Sequence, residues 1–141
     1  MSWSRPRAVV VPVDFSDQAM EAVRQAREHA VGGVVHVVHV LLPLPVGTPG
    51  AFFGSVDDAG RKGHVITALE EAFPDRHGLA FHALVDDPGR AITTLAEEVS
   101  AELIVMPSHG RTGLSRLLLG SVAERVVRLA HCPVLVLRRP G

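Results

Sequence analysis

The run Met106-Pro107-Ser108-His109-Gly110, followed after nine residues by Gly120-Ser121, has the residue types and spacing of a loop that could hold phosphate. Gly120 opens what reads as a helix, and a helix start offers unpaired backbone N–H groups at the positive end of its dipole. Gly110 would let the backbone approach a ligand closely, and Ser121 adds a hydroxyl donor. Thirteen of the fourteen basic residues are arginine and the only lysine is Lys62, in the polar run Asp57–His64, so a lysine-based phosphate loop is close to excluded. From these residues alone two readings stand level: a phosphate loop, or a Gly–Ser helix start with nothing bound. Arg111 and Arg116 flank the stretch, either neutralising phosphate charge or standing as solvated arginines. His109 reads as a loop histidine, packed on the following helix or bonded locally, in preference to a catalytic group.

Those residues need elements to place them. Ala8–Val13, Val34–Leu42, Leu103–Met106 and Val134–Leu137 are continuous apolar runs, the mark of strands buried on both faces of a parallel sheet; Leu79–Val85 is a weaker strand, interrupted by His82. Between them, Ser16 or Asp17 can cap a helix through Ala30, with Ala19, Ala22, Val23 and Ala26 on one stripe and Arg24, Arg27 and Glu28 facing water. A second helix covers Asp57–Phe73, and a third runs from about Gly89 to Ser100. The fourth follows Gly120, with Val122, Val126 and Leu129 on one stripe and Ala123, Val127 and Ala130 on the next. The order βαβαβαβαβ predicts one α/β domain over residues 1–141: a five-stranded parallel sheet with right-handed crossovers and helices on both faces. In strand order 3-2-1-4-5 a ligand would sit between the first and fourth strands, where Asp14 and Ser108-His109-Gly110 face one another.

Composition sets further bounds. The chain has 141 residues, 47% of them apolar, and a net charge of −1. That size fits a single domain with its own core. The charge gives no electrostatic case for nucleic acid or an anionic membrane. Nothing at the N-terminus reads as a signal peptide and no apolar run approaches a membrane span, so a cytoplasmic protein is expected. Cys132, the sole cysteine, reads as a small buried hydrophobe. The histidines show no metal-ligand spacing, and His36 and His39, three apart on a strand, point to opposite faces. Asp86-Asp87-Pro88 could approach a metal-bound nucleotide or simply form an acidic turn before a helix. The Pro- and Gly-rich stretch Pro43–Gly54 is either a lid or a surface excursion. No general base has a clear partner and no nucleophile constellation stands out, so true catalysis is not expected from these residues.

Val-Pro-Val-Asp-Phe-Ser at 11–16, His39-Val40, Ser-His-Gly-x9-Gly-Ser at 108–121 and Cys-Pro-Val-Leu-Val-Leu at 132–137 together resemble the universal stress proteins, across the whole chain. The resemblance implies a Rossmann-like domain that binds ATP or AMP, with Mg²⁺ on a triphosphate, and that forms a homodimer through the last strand. Carried over by position, Gly110, Gly120 and Ser121 would hold phosphates and Val122 would offer its backbone amide. Asp14 would touch the ribose or adenine side, Val40 would meet adenine through its backbone, and Pro12 and Val13 would line the pocket, with Met106 and His109 completing it. One position departs: where the family has the first glycine of Gly-x2-Gly, this chain has Pro107, which has no N–H and holds φ near −65°. Altered or weakened binding is expected from that change, with a nucleotide-free dimeric module of the same family as the alternative.

Overall fold

A computed structural model describes residues 5–44, 54–108 and 119–138. Its elements are β1 (Ala8–Pro12), α1 (Asp17–His29), β2 (Val34–Leu41), α2 (Gly54–Ala72), β3 (Leu79–Val85), α3 (Pro88–Glu98), β4 (Leu103–Pro107), α4 (Ser121–Leu129) and β5 (Val134–Leu137). The five strands pair in parallel, in the order β3-β2-β1-β4-β5 expected from the sequence. α2 begins at Gly54, three residues before the Asp57 that the sequence suggested.

The central strands are apolar on both sides because both faces are covered. Val9, Val11, Val35, Val37 and Val105 pack on one face with Ala19, Ala22, Val23 and Ala26 of α1, with Val65 and Leu69 of α2 and with Phe73 just after it. Val10, Val38, Ile104 and Met106 pack on the other with Ile92, Leu95 and Ala96 of α3 and Ala123 and Val126 of α4. Ser16 caps α1, its hydroxyl accepting from the Ala19 N–H at 3.2 Å, and Asp87 caps α3 through the Arg90 N–H at 3.0 Å.

Three expectations need correction. Arg27 does not simply face water: its guanidinium donates to the Asp75 and His77 carbonyls, each at 3.0 Å, and fastens the α2–β3 turn to α1. On α4 only Ala123 and Val126 are buried, whereas Val127 and Leu129 are exposed, because among the described residues nothing packs beyond that side of the helix. β5 is the edge strand that the order 3-2-1-4-5 implied, but it is not buried on both faces as its apolar run suggested, since Leu135 is exposed on it. Cys132 is half-buried against the α3–α4 face, and burial raises its thiol pKa.

His36 and His82 meet on the α3 face of β2 and β3, with Nδ1 and Nε2 2.9 Å apart. Burial lowers the pKa of both; His82 adds to the effect on His36, while the Glu98 charge opposes it on His82. A histidine whose folded pKa lies below its unfolded value is held neutral by the fold, so stability is complete above the unfolded pKa of about 6.5 and falls as pH drops below it. Thermal melts between pH 7.5 and 5 should therefore show a declining midpoint. The decline should be smaller in His36→Leu; an equal slope would show that the pair does not contribute.

Candidate functional site

The sheet reverses its winding between β1 and β4, so the chain leaves the two strands in opposite directions and a crevice opens beyond their carboxyl ends. Val13, Asp14 and Phe15 leave β1 on one side of it. Pro107 and Ser108 leave β4 on the other, where Gly120 and Ser121 begin α4.

The base of the β4–α4 connection is closed by backbone bonds. Ser108 N–H donates to the Leu137 C=O at 2.9 Å, and Gly120 N–H donates to the Ser108 C=O at 2.7 Å. Gly120 is the N-cap of α4 and supplies no side-chain cap. The amides of Ser121, Val122 and Ala123 therefore stand at a helix start without the side-chain acceptor that Ser16 gives α1, and Ser121 is exposed. This is a donor set suited to an anion. The predicted residues His109 and Gly110, with Arg111 and Arg116, lie outside the described residues, as does most of the stretch Pro43–Gly54.

Backbone directions across the crevice follow from the hydrogen bonds. In β2 the even-numbered residues face β1, since Val34 N–H donates to the Arg7 C=O and Val38 C=O accepts from the Val13 N–H. Val40 therefore turns its backbone groups toward β1 at a level where β1 has ended, as adenine contact through the backbone would require. In β4 the even-numbered residues face β5, with Ile104 N–H on the Pro133 C=O and Ser108 N–H on the Leu137 C=O. Position 107 then faces β1, and the proline there has no N–H to offer. Pro12 faces β4, as Ala8 does in accepting from the Glu102 N–H, and it too lacks an N–H. Both positions that turn to the seam at its carboxyl end thus lack an N–H. The β1–β4 register is Val9↔Leu103 and Val10↔Ile104 only, against five pairs between β1 and β2. That two prolines turn to one seam was not apparent from the sequence, where they lie 95 positions apart.

The other candidates divide. Asp14 is half-buried, and one carboxylate oxygen accepts from the Ser16 N–H at 3.0 Å. The side chains of Val13 and Met106 are core, 5% and 4% exposed, so they form the walls beneath the crevice. Asp86 and Asp87 are taken up by arginines: Asp86 pairs with Arg90, and Asp87 accepts from Arg125 Nε at 2.9 Å. The pairing with Arg90 holds the Asp86 carboxyl below its usual range. The Arg125 stem lies directly on Gly89, where a Cβ would meet its Cγ and Cδ at 2.6 Å, so α4 is seated on the start of α3. The acidic turn is therefore structural. Among the described residues no three metal-ligating side chains converge. No helix among the described residues is long and apolar enough to cross a membrane.

Comparison with known proteins agrees with this fold. The profile of the universal stress protein family matches residues 6–138. A universal stress protein of Methanocaldococcus jannaschii is 36% identical over 95% of this chain and 83% of its own. Universal stress protein E of Escherichia coli is 31% identical over 84% of this chain, which spans only 37% of that longer relative. Among solved structures, a universal stress protein of Lactobacillus plantarum superposes with a TM-score of 0.76 at 25% identity, covering 95% of this chain and 99% of its own. A universal stress protein in complex with cAMP gives a TM-score of 0.68 at 26% identity, covering 96% and 98%.

Proposed function

Because the chain belongs to the universal stress protein family, we propose that it is an adenine-nucleotide-binding regulatory protein, taking ATP or AMP at the β1–β4 crevice and acting as a dimer. The observation that carries the reading is the convergence on one crevice of an uncapped α4 start at Gly120-Ser121 and, opposite it, Asp14 and the inward-facing backbone of Val40. The first suits phosphate; the second suits a ribose hydroxyl and an adenine edge. The related structure with cAMP is consistent with an adenine nucleotide in this fold. Titration calorimetry with ATP and with AMP tests it: heat and a thermal shift at millimolar nucleotide are expected, and the absence of both would overturn it.

The two prolines at the seam favour a second reading, a nucleotide-free dimeric module. Neither Pro12 nor Pro107 has an N–H to offer there, which is poor ground for phosphate oxygens. Val127 and Leu129 on α4 and Leu135 on the edge strand β5 are exposed apolar side chains of the kind a second copy could cover. Pro107→Gly separates the readings. If the pocket binds nucleotide, restoring an N–H there should tighten ATP binding about tenfold to a hundredfold, the worth of one hydrogen bond to a charged group. Unchanged silence in both proteins, with a dimer by light scattering, would support the module instead.

A further inference from the structure

The ring of His39 lies under the crevice and does a job that a strand would ordinarily do for itself. Along β1 and β2 the parallel ladder runs regularly up to the bond from Val13 N–H to the Val38 C=O at 2.8 Å. The next bond of such a ladder would run from Val40 N–H back to the Val13 C=O. Among the described residues the structure records no such bond. The Val13 carbonyl instead lies 2.7 Å from His39 Nδ1. A carbonyl can only accept, so the proton of that ring sits on Nδ1. On its other side the ring leans on Phe15, with centroids 5.1 Å apart. Phe15 is in the left-handed region at φ 64°, unusual for an aromatic residue. The turn that carries Asp14 is thus tied by its carbonyl before Asp14 and by its ring after it.

We infer that His39 is a positioning residue for the adenine end of the site, replacing Val40 as donor to Val13 and so leaving the Val40 N–H available to a ligand acceptor. The inference rests on the nucleotide-binding reading of the crevice, but its first consequence concerns the free protein. If β1 and β2 zipped one step further, the Val40 amide would be consumed within the sheet. The Asp14 turn would also be drawn toward β2. With the histidine in place the ladder stops at Val13, and the crevice keeps an N–H donor on one wall beside a fixed carboxylate.

The test compares His39→Asn, whose amide nitrogen can occupy the place of Nδ1, with His39→Phe, which keeps a ring against Phe15 but has no donor. His39→Gln serves as a second donor-displaced variant should the phenylalanine impair folding. Amide exchange by NMR in the ligand-free protein should show the Val40 N–H exchanging faster than the Val38 N–H in the wild type and in His39→Asn. It should become protected in His39→Phe. Adenosine and AMP should bind His39→Phe about tenfold more weakly, the loss of one well-placed hydrogen bond, and His39→Asn should recover most of that. Tripolyphosphate, which needs only the α4 end, should bind all variants alike. Equal Val40 exchange in wild type and His39→Phe would overturn the inference. So would equal adenosine affinity, or an equal loss of tripolyphosphate binding. Failure of the wild type to bind any nucleotide would overturn the binding reading while the exchange result still judged the ladder.

Discussion

Ser121→Asp is expected to weaken ATP and AMP binding by about a hundredfold while leaving the fold at least as stable as before. The two effects have opposite signs because they act on the same helix end. Ser121 is the first residue of α4 and is exposed, and Gly120 before it provides no side-chain cap. A carboxylate in the first turn interacts favourably with the helix dipole, by about 0.3–1 kcal/mol at an exposed site. A phosphate placed at those same amides would lie roughly 5 Å from that carboxylate. At the effective dielectric of a protein surface, two like charges at such a distance cost about 3 kcal/mol, which corresponds to roughly two orders of magnitude in affinity. Ser121→Ala removes only the hydroxyl and should lose less than tenfold. Adenosine, with no phosphate, should bind Ser121→Asp as it binds the wild type. A variant that melts at a higher temperature yet still binds ATP normally would place the phosphates elsewhere.

How much of this was legible beforehand depended on whether the signal was local. The strands were readable because Ala8–Pro12, Val34–Leu41 and Leu103–Pro107 are covered on both faces and therefore lack polar alternation. The α1 stripe of Ala19, Ala22, Val23 and Ala26 was readable because all four face the sheet. The crevice could be located from strand order alone. What escaped was set by backbone direction and by distant neighbours. His39 was visible as a strand-end residue, but that its ring takes the Val13 carbonyl depends on where β1 stops. Pro107 was visible as a departure from the family pattern, but that it shares a seam with Pro12 depends on which way each strand turns its amides. Val127 and Leu129 looked like core because a periodic stripe does not reveal that the sheet ends at β5.

The same distinction between local pattern and packing gives the largest expected loss of stability, that of Leu69→Ala. α2 is a poor helix by composition. Gly60 and Gly63 lie within it, each costing about 1 kcal/mol relative to alanine. Its attachment to the sheet rests on Val65, Leu69 and Phe73, spaced four apart and pointing inward, of which Leu69 is the most enclosed at 0% exposed. Truncating it removes buried methyl groups and leaves a cavity between α2 and the sheet, for a loss of about 3 kcal/mol. That is a large share of the 5–15 kcal/mol typical of a domain. Urea unfolding should show a lower midpoint at an unchanged slope. Gly63→Ala works the other way: a Cβ there meets nothing within 4 Å, so the gain in helix propensity should appear whole, about 1 kcal/mol. The double variant should fall between the two, because the sites lie on different sides of the helix and share no partner. If Leu69→Ala cost less than 1 kcal/mol, α2 would be held by something other than this stripe, and the packing described for that face of the sheet would be wrong.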